Sequence, residues 1–467
     1  MWTFKNYGSA IAAEADNGEV ITYAQLDALA TDLRSITGRA LVFNLCTNSI
    51  GSFAGYAAML NARIVPVMIA ADLDRELLNS LIDEYRPEYI WLPSSAKTSF
   101  ADYEEVFSAY RYSLLKTGEV AHELFEELAL LLTTSGSTGS FKLVRQSYRN
   151  IEANTESIVE YLKLDSTERP ITTLPMNYTY GLSIINTHLW VGAKILITDK
   201  TLAQREFWNF FKEKEATSFG GVPYTYEILK KLRFFRMDLP SIRYMTQAGG
   251  KLTVELHKEF AEDCAAKGRG FVIMYGQTEA TARMAYLPAD KALEKCGSMG
   301  IAIPGGCFDL IDVNGSVITV PETVGELVYY GDNVTLGYAE NLSDLAKGDE
   351  RGGKLVTGDM AKMDSDGFFY IVGRKKRFLK MFGKRVNLDE IDRLMKARFD
   401  NIDCGSDGVD DSMVLFLTDE SLLDPARKYI SDKININISA IHSVFLAEIP
   451  KNSSGKTLYS ELKQYIK

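Results

Sequence analysis

The chain has little cysteine and little histidine, five and four among 467 residues. The cysteines (Cys46, Cys264, Cys296, Cys307, Cys404) are scattered, odd in number and never in a Cys-x-x-Cys pair. That excludes a disulfide framework and a zinc site, and it predicts reduced thiols in a cytosol. The dispersed histidines exclude a histidine-based metal centre. No basic surplus exists: 52 Lys and Arg stand against 62 Asp and Glu, a net charge of −10. Nucleic acid and anionic membrane surfaces, which want a basic face, are therefore not expected as partners. No apolar run reaches the ~18 residues of a membrane span. The opening Met-Trp-Thr-Phe-Lys-Asn does not read as a secretory signal, so a cytoplasmic location is expected. What remains is ordinary globular material, 46% hydrophobic and 24% charged, long enough for two or three domains.

One segment stands out. The apolar run Leu128–Leu132 ends in Thr133, Thr134, Ser135, Gly136, Ser137, Thr138 and Gly139, and Lys142 follows. A loop so rich in glycine and hydroxyls exposes backbone N–H groups that can fold around an anion, and the lysine adds a full charge. A polyphosphate is the ligand this predicts. The segment is not a P-loop, which ends in Gly-Lys-Ser/Thr.

Around it, short apolar runs alternate with helical ones. Strands are expected at Ala40–Leu45, Arg63–Val67 and Tyr89–Leu92, and helices at Ser52–Asn61, Asp74–Tyr85 and Tyr148–Leu162. Such alternation implies βα units and a mostly parallel sheet. Residues 99–124 carry no interpretable pattern. Further runs end in Gly- or Thr-rich turns: Ile171–Pro175 before Tyr178, Thr217–Pro223, Tyr244–Leu252 with Gly249 and Gly250, and Phe271–Ala280. In open parallel sheets ligands bind at the carboxyl ends of strands. In Tyr275-Gly276-Gln277-Thr278-Glu279, Tyr275 offers a face for a purine, Gly276 a close backbone approach and Thr278 a donor. Glu279 is a hard oxygen ligand for Mg²⁺. Beyond about residue 305, Asn314-Gly315 and Asp366-Gly367 signal β-hairpins. There Asp359 is expected as a loop carboxylate for ribose hydroxyls, with Arg374 beside it. Lys375-Lys376-Arg377 reads as a polar break and domain boundary. A compact mixed segment follows, with helices at Leu388–Phe399 and near Pro425–Ile434, a strand at Met413–Leu417 and a terminal helix.

Taken in order, these pieces resemble the acyl-adenylate-forming enzymes: acyl-CoA synthetases, free-standing adenylation domains and luciferases. Thr134–Lys142 resembles their phosphate loop. Tyr275–Glu279, Thr357–Asp359, Gly373-Arg374 and Pro450–Lys456 resemble their later signatures. Ala248–Leu252 resembles the turn at the adenine edge, and Gly297–Gly300 the segment beside the acyl pocket.

The resemblance implies an α/β fold. A large N-terminal domain (1–375) would hold mostly parallel sheets with flanking helices and a β-rich subdomain. A small mobile α+β domain (376–467) would follow. It also implies an AMP-forming ligase that uses ATP and Mg²⁺ to convert a carboxylic acid to an acyl-adenylate. The acyl group then passes to coenzyme A or a separate acyl carrier protein. Catalysis is expected of Lys456, Lys142 and Thr278. ATP contacts are expected from residues 134–139, Gly249, Gly250, Tyr275, Gly276, Gln277, Asp359 and Arg374. Glu279 is expected to hold the metal. Tyr178, Gly249 and Gly300 are expected at the acyl group, Lys376 at a hinge and Gly383 at the thiol tunnel.

Phe141, Leu143, Tyr178 and Tyr459 depart from common family residues. No acidic residue lies between 176 and 198. An α-ammonium there would be buried unpaired. An acid without an α-amino group, aliphatic or aryl, is therefore expected. Loading of a carrier protein with an amino acid, and an inactive nucleotide-binding relative, are the alternatives.

Overall fold

A computed structural model of the chain describes residues 1–133, 142–400, 402–451 and 457–466. These fall into two compact units, residues 1–308 with 329–355, and residues 309–328 with 356–467.

The first unit is built on an eight-stranded sheet. Its strands run, edge to edge, Gly337–Ala339, Leu143–Ser147, Leu128–Thr133, Val65–Ala70, Leu41–Cys46, Tyr89–Pro93, Tyr112–Lys116 and Glu104–Ala109. The central four strands are parallel, and the outer ones pair antiparallel. Along Leu41–Cys46, residues Leu41, Phe43 and Leu45 enter one core, while Val42 and Cys46 enter another. Both faces are covered, which is why the central strands read as continuous apolar runs rather than alternating ones. Helix Ile50–Asn61, buried along nearly its whole length, fills one side.

The same unit holds a five-stranded sheet in the order Ser218–Gly221, Tyr244–Gln247, Gly270–Tyr275, Ala285–Leu287, Ile301–Ala302. Its first three strands are parallel and in register, with Gly221 beside Gln247 and Gln247 beside Ile273. Their carboxyl ends therefore share one edge, which carries Gly249, Gly250 and Tyr275–Glu279.

One stretch left without a reading proves to be regular, and one expected strand end is not formed, each for a physical reason. Residues 99–124 contain the hairpin Glu104–Ala109/Tyr112–Lys116. Its turn uses Tyr110 and Arg111, both with positive φ (50° and 61°), where glycine or asparagine is the usual signal. Ile171–Pro175 forms no strand of its own; Pro170 and Ile171 make only isolated bridges.

The second unit carries most of a four-stranded sheet whose last two strands, Lys354–Met363 and Phe369–Arg374, pair antiparallel. After it come the hairpin Phe378–Met381/Lys384–Asn387 and a three-stranded sheet of Cys404–Val409, Ser412–Leu417 and Ile441–Phe445. Helices Leu388–Arg398 and Leu423–Ile434 close their own apolar core. The observed class is α/β with an α+β C-terminal segment, as expected. Among the described residues no helix is long and apolar enough to cross a membrane.

Candidate active site

Residues 134–139, the heart of the glycine-hydroxyl loop, lie outside the described residues. Their flanks are clear. Thr133 pairs with Leu143 at the ends of two buried antiparallel strands. Lys142, at its exit, forms an ion pair with Glu340 and lies 5.8 Å from the centre of the Tyr338 ring. Its side chain keeps 43% exposure. An exposed pair of this kind is worth only ~0–1 kcal/mol, so the ammonium can turn to a stronger anion at little cost.

Tyr338 links Lys142 to the second cluster. Its hydroxyl donates to Glu279 Oε1 at 2.6 Å. Burial, and the Glu279 carboxylate after it, push this phenol up to about 12, so it stays a donor at neutral pH. Arg351 stacks over the same ring at 4.8 Å and donates through Nη1 to the Glu279 carbonyl at 3.0 Å. Thr335 adds its backbone N–H and Oγ1 to that carbonyl, each at 3.0 Å. Glu279 is thus held by its backbone while its carboxylate is shared with one tyrosine. Among the described residues no group of three or more His, Cys, Asp or Glu converges. A cation that takes one protein carboxylate and fills its shell with water and phosphate, as Mg²⁺ does, fits Glu279; an all-protein cage does not. Tyr338, Thr335, Arg351 and Glu340 were not legible as site residues, because nothing near them in the sequence carries a motif.

The turn before Glu279 is closely packed. A Cβ on Gly276 would lie 1.7 Å from the Ala282 carbonyl oxygen, so only glycine fits. Gln277 donates to the Tyr275 hydroxyl at 3.3 Å, and Thr278 opens a short 3-10 helix ending at Ala280. Thr281 then takes φ +66°, a costly conformation for a β-branched residue. It is held by its own Oγ1 donating to Asn333 O at 2.7 Å and by Thr179 Oγ1 donating to its carbonyl at 2.5 Å.

Gly249 and Gly250 are exposed beyond strand Tyr244–Gln247, and Gln247 Nε2 donates to the Gly250 carbonyl at 2.9 Å. A Cβ on Gly249 would lie 2.5 Å from the Tyr178 hydroxyl, so these two acyl-side candidates do meet. Tyr178 packs edge-on to Tyr180. Beneath lies an apolar layer of Leu174, Tyr180, Val222, Ala248, Val272 and Met274. Gly300, at φ +93°, would place a Cβ 1.9 Å from the Tyr286 carbonyl oxygen, and Tyr286 stacks on Tyr161 at 4.1 Å.

In the second unit Asp359 is buried and pairs in register with Arg374, whose Nε lies 3.3 Å from Asp359 Oδ1. Asp359 was expected on a loop; it sits inside strand Lys354–Met363 instead. The strand continues through Gly358, and the Asp359 backbone N–H donates back to Thr357 Oγ1 at 3.1 Å. Lys376 is exposed in a short 3-10 turn, Lys375–Arg377. Arg377, expected as part of a polar break, is buried: its guanidinium contacts Asp389, Asp392 at 2.7 Å and the Ser406 carbonyl at 3.0 Å. Tyr459 stacks on that guanidinium at 3.5 Å and donates to Asp392 Oδ2 at 2.8 Å. Gly383 sits at the tip of the hairpin beside exposed Phe382. Lys456 lies outside the described residues, but its flanks Lys451 and Thr457 form an antiparallel bridge.

A family model for AMP-binding enzymes matches residues 2–339. A 2-succinylbenzoate–CoA ligase of Bacillus mycoides (strain KBAB4) is 26% identical over 438 residues, covering 90% of this chain and 85% of that protein. The O-succinylbenzoate coenzyme A synthetase of Bacillus subtilis, solved with AMP, superposes with a TM-score of 0.79 at 20% identity, covering 98% and 97% of the two chains. The same enzyme solved with ATP and a magnesium ion gives 0.76 at 20% identity, with 98% of each chain covered. ATP-bound MatB from Rhodopseudomonas palustris gives 0.79 at 20% identity, covering 99% and 98%.

Proposed function

The chain belongs to the AMP-binding enzyme family, and on that premise we propose that it is an AMP-forming acid–thiol ligase. A carboxylate oxygen attacks the α-phosphorus of ATP, the bond to pyrophosphate breaks, and an acyl-adenylate forms. A thiol then attacks the acyl carbonyl and AMP leaves. The thiol is that of coenzyme A or of a separate acyl carrier protein. The observation that carries this reading is the cluster of Lys142, Tyr338, Arg351 and Glu279 beside the glycine-hydroxyl loop. The first step brings two anions together, so neutralising charge is the main task of the protein.

Lys142, Thr278 and residues 134–139 take the phosphates. Glu279 would hold Mg²⁺, which supplies positive charge to the phosphate oxygens when bound. Tyr275, with Gly276 and Gln277, takes adenine together with the Gly249-Gly250 turn. Asp359, with Arg374, takes the ribose hydroxyls; a buried carboxylate already paired to one guanidinium is poised to accept them. Lys456 neutralises charge at the α-phosphate in the first half-reaction. Residues 376–467 act as a small mobile domain hinged at Lys376, and Gly383 lines the thiol path in the second half-reaction. Tyr178, Gly249 and Gly300 border the acyl group. The cytoplasm, where ATP and coenzyme A are plentiful, is the proposed location.

Pyrophosphate release across a panel of acids, without and then with coenzyme A, tests this reading. Acid-dependent release with ATP, followed by a thioester when coenzyme A is added, is expected. Lys456→Ala should abolish adenylate formation and spare thioester formation from supplied acyl-AMP. Release at the wild-type rate by that variant would remove Lys456 from its assigned role.

A further inference from the structure

Arg145 lies three residues beyond Lys142, in the strand Leu143–Ser147, and its side chain is 0% exposed. A guanidinium carries five N–H donors in a fixed fork. Nε donates to the Tyr338 carbonyl at 3.0 Å. Nη1 donates to the carbonyls of Lys347 and, at 3.2 Å, Gly348. Nη2 donates to the Leu336 carbonyl at 3.4 Å and to Glu350 Oε2. A charge is tolerated inside a protein when it is paired and its hydrogen bonds are made, and a satisfied buried network holds its members rigidly.

The acceptors come from two stretches of chain. Leu336 and Tyr338 belong to the edge strand Gly337–Ala339 and its approach. Lys347, Gly348 and Glu350 lead up to Arg351. These stretches present the two side chains that hold Glu279: Tyr338 on its carboxylate and Arg351 on its carbonyl. The backbone repeats the tie. The Leu336 N–H donates to the Arg145 carbonyl, and the Glu350 N–H to the Leu336 carbonyl, each at 2.9 Å. Space is kept for the ion pair as well. Gly337 takes φ +135°, and a Cβ there would lie 2.6 Å from Glu350 Oε2 and 3.0 Å from Arg145 Nη2. Arg145 thus joins the strand that leaves the glycine-hydroxyl loop to both supports of the candidate metal ligand.

We propose that Arg145, paired with Glu350, is a positioning residue for the metal: it sets Tyr338 and Arg351 against Glu279, so that the carboxylate is aimed at Mg²⁺ on the phosphates. This rests on the assignment of Glu279 in the ligase reading above and extends it to residues that touch neither ATP nor acid. A purely structural role would change how much protein is folded and leave the metal dependence as it was.

The test uses the full-length protein and the variants Glu350→Gln and Arg145→Lys, each assayed well below its melting temperature. Lysine keeps the charge but cannot reproduce the fork. Pyrophosphate release is measured against Mg²⁺ concentration, and ATP binding is measured by calorimetry with and without Mg²⁺. The half-saturating Mg²⁺ concentration should rise ~10-fold or more, the usual loss when a partner behind a metal ligand is removed. The tightening of ATP binding by Mg²⁺ should shrink in step. The KM for the acid, and thioester formation from supplied acyl-AMP, should be unchanged. Tyr338→Phe should shift the Mg²⁺ requirement too, and its effect should not multiply with that of Glu350→Gln, because both act on one carboxylate. Should Arg145→Lys fail to fold, Glu350→Gln, which keeps an acceptor in place, decides the matter. Lost activity that follows the loss of folded protein, with the Mg²⁺ requirement unmoved, overturns the inference and leaves the ligase reading standing. Wild-type ATP binding that Mg²⁺ does not tighten also overturns it. If the wild-type protein releases no pyrophosphate with any acid while the variants still weaken Mg²⁺-dependent ATP binding, the ligase reading falls and this inference stands.

Discussion

At the scale of single residues, the side of the site proposed for the phosphates is organised by a tyrosine. Tyr338 donates to Glu279 and lies under both Lys142 and Arg351. The two cations differ in kind. Arg351 is tied to backbone and to Thr335 Oγ1 at 2.6 Å, so it shapes the turn. Among the described residues the carboxylate paired with Lys142 is that of exposed Glu340, so the ammonium can move to a ligand. Lys142→Ala should therefore lower pyrophosphate release by ~10²–10³-fold, the usual loss for one electrostatic donor in a transition state. Its melting temperature should stay close to wild type. Tyr338→Phe removes one hydrogen bond worth ~0.5–1.5 kcal/mol and should cost up to about tenfold in release. Rate and melting temperature are measured together. A fall in stability that accounts for the lost rate would make the cluster structural.

At the scale of elements, helix Thr179–Trp190 and the edge of the five-stranded sheet frame the side proposed for the acyl group. His188 lies on that helix, and burial lowers its pKa from 6.5 to about 4. The sign follows from linkage. A base whose folded pKa lies below its unfolded one binds fewer protons when folded. It contributes stability above pH 6.5 and loses it as the pH falls towards 4. At 1.36 kcal/mol per unit the contribution is about 3 kcal/mol. Urea unfolding at pH 7 and pH 4.5 should show a smaller acid loss in His188→Gln than in wild type. An NMR titration should find the His188 ring still neutral at pH 5.

At the scale of the whole molecule, two compact units each carry their own apolar core. In the second, Arg377, Asp392, Ser406 and Tyr459 form one buried network. It ties the terminal helix to Leu388–Arg398 and to strand Cys404–Val409. Tyr459→Phe takes one donor from the Asp392 carboxylate and should cost ~1–3 kcal/mol. The loss should be local. Hydrogen exchange should quicken in Leu388–Arg398 and Ser412–Leu417 and stay unchanged in Leu41–Cys46. Equal loss of protection in both units would mean that they unfold as one.

The local grammar of the chain was enough for much of this. The sequence pattern predicted helices at Tyr148–Leu162 and Asp74–Tyr85; the folded chain has Tyr148–Leu162, capped by Ser147, and Arg75–Tyr85, capped by Asp74. Alternating strand-like and helical runs implied βα units and a mostly parallel sheet. Motifs marked Lys142, Glu279, Asp359 and Arg374, because each stands in a short run whose residue types suit phosphate, metal or ribose. A hairpin turning on Tyr110 and Arg111 was invisible, since its turn lacks the residues that usually pay for positive φ. Only the folded chain brings Tyr338 to Glu279 across 59 residues, Arg377 into a buried ion network, and Arg145 to acceptors as far along the chain as Glu350. Those facts belong to tertiary structure because burial and pairing are set by neighbours remote in sequence. A lone arginine or tyrosine reads the same whether it faces water or closes a pocket.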